Sequence, residues 1–171
     1  SAGRGDNAIA TLQGAMAKFP DEPLVKLELG AALGRQKRFA EAESVFRQMI
    51  TADPTNAEAL NYLGYMYAER GIRLQEAERM LKKALKNAPS NAYYMDSLGW
   101  VYFKKGKLKL ALEYLDKASK ILTDPVVYEH LGDVYAALGS FDDARMSYKK
   151  SLDKNRNQTV EDKLRLLPGA D

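Results

Sequence analysis

Apolar and polar positions along the chain recur with two nested periods. Within short stretches, bulky residues return every three to four positions, so each stretch presents one apolar face of a helix. The stretches themselves repeat, and a Leu-Gly pair marks the longer period. It occurs as Leu29-Gly30, Leu63-Gly64, Leu98-Gly99 and Leu131-Gly132, at intervals of 34, 35 and 33 residues. Three residues after each Gly stands a large side chain: Leu33, Tyr67, Tyr102 and Tyr135. A small residue follows, at Ala42, Ala77, Ala111 and Ala144, and four residues later a bulky one, at Phe46, Leu81, Leu115 and Tyr148. Met49, Ala84, Ala118 and Ser151 come three further on, and Pro54 and Pro89 close the first two units.

The pattern predicts pairs of helices. The Gly and the small residue of the second helix allow close approach where a larger side chain would hold the helices apart. The closing Pro cannot continue a helix and turns the chain into the next unit. One pair cannot bury its own apolar face, so neighbouring pairs must stack. The second half of a unit also appears at the start, as Ala8, Leu12, Ala15 and Pro20, which reads as a repeat without its first helix. The resulting division is 1–6, a disordered start or cloning remnant; 7–22, a half repeat; then repeats over 23–56, 57–91, 92–124 and 125–158; and 159–171, a capping helix and tail. The tail opens with a capping box of Thr159 and Asp162, and Val160, Leu164 and Leu167 share a face that would cover the last repeat. Tyr67 to Ala77 is one residue longer than its counterparts, which places an extra residue in the turn around Gly71. Ala118 to Leu131 is one shorter.

Over about residues 7–158 these motifs resemble the tetratricopeptide-repeat (TPR) family, with Arg156 in place of the last Pro. The resemblance implies an all-α fold, a right-handed TPR superhelix (an α-solenoid) of about four and a half helix-turn-helix repeats with a C-terminal capping helix. It implies a non-catalytic protein–protein interaction scaffold or adaptor whose first helices line a concave groove. The runs Leu60–Tyr65 and Asp96–Tyr102 also resemble bacterial TPR adaptor proteins of the cell envelope. A second reading is therefore a partner-recruiting domain of a larger enzyme or envelope complex, such as a periplasmic protease adaptor.

Carried over from the family, the groove positions are Leu27, Ala31, Gly34 and Arg35; then Glu58, Asn61, Tyr65, Ala68 and Glu69; then Tyr93, Asp96, Trp100, Phe103 and Lys104; and finally Val126, Glu129, Asp133, Ala136 and Ala137. The site expected to bind a partner comprises Glu58, Asn61, Tyr65, Glu69, Tyr93, Asp96, Trp100, Phe103, Lys104, Glu129 and Asp133. Its aromatic residues would anchor a protein or peptide segment, with Trp100 the strongest candidate. Its acids would favour an apolar segment carrying Lys or Arg. The clamp that one TPR subset uses for C-terminal carboxylates lacks its Lys and Arg here.

Composition narrows the chemistry. Of 171 residues 46% are hydrophobic and 29% charged, an ordinary globular balance, and the net charge of +3 gives no nucleic-acid signal. No apolar run approaches the roughly 18–20 residues of a membrane span. With no Cys, disulfides and thiolate sites are excluded. The single histidine, His130, has no partner at metal-ligand spacing and reads as a partly exposed helical residue. No phosphate-binding Gly-rich loop is present, and no cofactor is expected. Arg4-Gly5-Asp6 reads as a chance tripeptide at the chain's start. Self-association through the apolar surface of the N-terminal half repeat is a further expectation. The sequence leaves open a bacterial periplasmic or envelope setting and a cytoplasmic one.

Overall fold

The computed structural model describes residues 2–169, which contain ten helices and no strand. Contacts divide the chain after Ala88 into two compact units. Unit 1 holds α1 (Ala2–Lys18), α2 (Pro23–Arg35), α3 (Phe39–Ala52), α4 (Ala57–Glu69) and α5 (Leu74–Asn87). Unit 2 holds α6 (Ala92–Lys104), α7 (Leu108–Ser119), α8 (Pro125–Ala137), α9 (Phe141–Lys154) and α10 (Gln158–Arg165). In unit 1 each helix packs on the next, and α2 also touches α4; in unit 2 the same holds, with α6 touching α8.

Helix starts follow local chemistry. Asn56 accepts a hydrogen bond from the Ala59 N–H at 2.9 Å, Asn91 from Tyr93 at 3.0 Å, and Asp124 from Val126 at 2.8 Å. Pro23 and Pro125 occupy first turns, where no N–H is required. The α10 cap is Asn157, whose side chain accepts from the Thr159 N–H at 2.9 Å. The cap therefore falls two residues before the Thr159 expected: Asn is among the strongest N-cap residues, and its side chain satisfies the Thr159 N–H of the first turn. From Ala2 onward the chain forms the first turns of α1.

The first helix of each pair ends in the same double hydrogen bond. The N–H of Lys37 donates to Gly34 C=O and that of Arg38 to Leu33 C=O, both at 2.9 Å. The counterparts centred on Gly71, Gly106 and Gly139 are the same, and each central residue has left-handed φ. The extra residue between α4 and α5 is absorbed at Arg73, also left-handed at φ 47°.

The close approach inferred from the Leu-Gly pairs is met in all four pairs. A methyl group at Gly30 would lie 2.6 Å from the Phe46 ring, at Gly64 3.0 Å from Leu81, at Gly99 2.7 Å from Leu115, and at Gly132 2.3 Å from the Tyr148 ring. Ala42, Ala77, Ala111 and Ala144 are fully buried beside these contacts. Val160 and Leu167 join Ala144 and Tyr148 in one cluster, with Leu164 against it, so α10 covers the last pair.

Gly132→Ala is the sharpest test of this packing, because the Tyr148 hydroxyl donates to Asp133 at 2.7 Å and pins the ring. The substitution should cost about 1–3 kcal/mol by overpacking. Gly14→Ala, whose methyl meets nothing within 4 Å, should instead gain about 0.5–1 kcal/mol of helix stability. Urea-unfolding midpoints of the two variants should move in opposite directions.

Candidate functional site

In unit 1 the small residues of α2 leave room. Gly30, Ala31 and Gly34 line a cavity of about 360 Å³ together with Phe39 and Phe46 from α3 and Tyr62, Tyr65, Met66 and Glu69 from α4. Arg35 and Lys37 complete the lining, Lys37 exposed and Arg35 at the margin. The rings of Phe46 and Tyr62 stack at 5.5 Å and 8°, and the Arg70 guanidinium lies 4.8 Å over the Phe39 ring. The walls are thus mainly apolar, four of them aromatic rings, with charge confined to a few margin residues, the usual make-up of a ligand-holding concavity. Five groove positions taken from the family resemblance, Ala31, Gly34, Arg35, Tyr65 and Glu69, are among the lining residues.

Unit 2 fills the corresponding space with its own side chains. One residue after the Leu-Gly pair, unit 1 has Ala31 and unit 2 has Trp100; four after it, Gly34 and Phe103 correspond. Trp100 stacks on Phe103 at 4.8 Å and on His130 at 4.1 Å, with the Lys104 ammonium 4.6 Å from its ring. It is 7% exposed. His130 is 4% exposed, so the partly exposed histidine expected from sequence is in fact a core residue. Its Nδ1 lies 2.9 Å from Oδ1 of buried Asp96. An imidazole nitrogen and a carboxylate oxygen at this distance share one hydrogen bond. The pair offsets the burial cost that either group would incur alone.

The other two unit 2 acids of the expected site, Glu129 and Asp133, are likewise engaged. Lys163 of α10 donates to Glu129 and to Asp133, both at 2.7 Å, and Asp133 also accepts from Tyr148. Of the remaining candidates, Glu58 and Tyr93 are exposed on the first turns of α4 and α6. Asn61 is half-buried, and its Oδ1 has no hydrogen-bond partner among the described residues. The eleven residues therefore separate: Tyr65 and Glu69 at the cavity; Asp96, Trp100, Phe103 and Lys104 around one internal stack; Glu129 and Asp133 on Lys163. Sequence reasoning missed Lys37, Phe39, Tyr62 and Met66 at the cavity and Lys163 at the acids. The available signal was the run of small residues at 30, 31 and 34, where the second and third repeats carry at least one ring. Among the described residues no group of His, Asp and Glu could hold a metal ion, and no helix is long and apolar enough to cross a membrane.

Protonation follows these contacts. Burial disfavours the Lys163 ammonium, but its hydrogen bonds to Asp133 and Glu129 outweigh that and raise its pKa. Burial and the neighbouring Asp133 both push the Tyr148 hydroxyl up. In unit 1, burial opposes ionisation of Glu43, yet bonds from Arg47 and Tyr67 and the charge of Arg73 hold its carboxyl below the usual range.

A family model described as a tetratricopeptide repeat-like domain matches residues 68–167, and one described as a tetratricopeptide repeat matches 1–58 and 33–99. No curated protein matches the chain significantly. Among solved structures, a thermophilic TPR protein of Thermus thermophilus is 21% identical, with a TM-score of 0.84 over 96% of this chain and 92% of that one. PilW, a widely conserved type IV pilus biogenesis factor, is 22% identical, with a TM-score of 0.77 over 94% of this chain and 78% of its own. MamA from Desulfovibrio magneticus RS-1 is 20% identical, with a TM-score of 0.69 over 90% and 87%. At these identities the likeness is one of fold.

The pKa shifts predict opposite pH sensitivities. Glu43, lowered on folding, contributes stability above about pH 4.3 that is lost as the pH falls. Lys163 and Tyr148, raised on folding, contribute stability below about pH 10 that is lost as the pH rises. Trp100, the single tryptophan, reports on unit 2. Its fluorescence-monitored urea midpoint should fall between about pH 8 and pH 11, and less so in Lys163→Met, which starts lower.

Proposed function

Because the chain belongs to the tetratricopeptide-repeat family, whose members are in general non-catalytic protein-interaction scaffolds, we propose that it holds a segment of a partner protein by an apolar side chain seated in the α2–α3–α4 cavity of unit 1. The observation that carries this reading is the cavity itself, which has aromatic walls and room for a bulky side chain. Trp100, the anchor expected from sequence, is spent on internal stacking in unit 2 and is a weaker candidate for partner contact.

Burying one Leu- or Phe-sized anchor yields about 1.5–3 kcal/mol. Millimolar binding already requires about 4 kcal/mol, so the anchor sets register and the flanking chain must add contacts along the first helices. Tyr62, 40% exposed, and Tyr65 are the side chains best placed to supply them. The acids that suggested a Lys- or Arg-bearing partner are mostly engaged within unit 2, so in this reading the partner's charge is decided at the cavity margin.

Gly34→Leu tests the reading without opening the core. A methyl at Gly34 meets nothing within 4 Å, and Leu is a better helix former than Gly by about 0.8 kcal/mol. The longer side chain should occupy the cavity while thermal stability is kept or raised. In affinity capture from a lysate of the source organism, a protein retained by the parent should be depleted about tenfold by Gly34→Leu. Equal capture by both would exclude the cavity as the anchor site.

A further inference from the structure

Resting on the unit 1 cavity as the anchor site, we propose that the segment it takes is acidic: an apolar side chain flanked by an Asp or Glu carboxylate, received by Lys37 and Arg35. The first observation is backbone conformation. The turn that ends the first helix of each repeat needs one left-handed residue, and three of the four turns use Gly, at Gly71 (φ 64°), Gly106 (φ 70°) and Gly139 (φ 79°). The turn at the cavity uses Lys37, at φ 59°. A side chain with a Cβ is disfavoured there, and such strain persists mainly where function holds it.

Arg73 supplies the control. Among the described residues it is the other left-handed residue with a side chain, and its guanidinium donates to Glu43 at 2.7 Å and to the Tyr67 hydroxyl at 3.1 Å. Its conformation is accounted for by those bonds. Lys37 has no such explanation: its ammonium makes no hydrogen bond or ion pair among the described residues.

The second observation is charge. Arg35 and Lys37 both line the cavity, Arg35 too makes no ion pair among the described residues, and Glu69 is the one acid in the lining. Arg70 adds a third cation over the Phe39 ring. Nearby Arg38 is already neutralised by Glu41 at 2.7 Å. The margin is therefore net positive, and the cations not committed elsewhere stand beside an apolar hole. A carboxylate next to the anchor gains charge-assisted hydrogen bonds from Lys37 or Arg35, whereas a Lys or Arg there meets like charge.

The test is to pan a phage-displayed random peptide library on the whole chain and measure the selected peptides on the parent, Lys37→Gly and Gly34→Leu. Support is a pool in which an apolar or aromatic residue is flanked by Asp or Glu, binding Lys37→Gly about tenfold more weakly although that variant melts at a higher temperature. A residue with only a structural role cannot yield weaker binding together with higher stability. A pool without acidic enrichment, or acidic peptides that bind Lys37→Gly as well as the parent, overturns the proposal and leaves the cavity reading standing. Peptides indifferent to Gly34→Leu overturn the cavity reading itself, and an empty pool overturns both.

Discussion

Each repeat depends on one contact, the bulky side chain of a second helix lying against bare backbone at the Gly of the Leu-Gly pair. A methyl group there would stand 2.3–3.0 Å from Phe46, Leu81, Leu115 or Tyr148, closer than unbonded carbon atoms settle. The helix separation is thus set by the absence of one carbon, and the buried alanines beside it keep the same spacing. The contact also reaches the candidate site. The Phe46 ring that rests on Gly30 forms a wall of the cavity and stacks on Tyr62, so a fold contact and a binding surface share one side chain.

Given that shared frame, the repeats differ in what they place at the positions following the Gly. Ala31 and Gly34 leave a hole; Trp100 and Phe103 close one. The closed version then requires a partner for each polar group drawn into it. Asp96 pairs with His130, and further along α8 the carboxylates of Glu129 and Asp133 pair with Lys163. A buried acid without such a partner would be protonated or would destabilise the fold. Unit 2 therefore uses its aromatic and acidic residues for cohesion, while unit 1 keeps an apolar surface and uncommitted cations.

Variation in the turns is absorbed outside this frame. The turn between α4 and α5 has one residue more than its counterparts, and the left-handed residues Gly71 and Arg73 take up the difference. Arg73 is then held by Glu43 and Tyr67, which binds the odd turn back to α3 and α4. Helix packing is unaltered because the change falls where no close contact is required.

The repeat period, the helix pairs and the Gly–bulky contacts were legible in the sequence, since each rests on short-range spacing that one helix face makes visible. The aromatic and acidic residues of the first helices were legible as a set as well. Which of them meet was decided by the tertiary structure. Trp100 and Tyr65 occupy the same repeat position, yet one stacks on Phe103 and His130 and the other lines a cavity, because their neighbours across the packing differ. His130 looked solitary until α6 placed Asp96 opposite it, 34 residues away. Lys163 likewise reached Glu129 and Asp133 only through the docking of α10. Periodicity determines which face a residue occupies; whether that face is filled, paired or left open depends on side-chain volumes and charges brought together from distant positions.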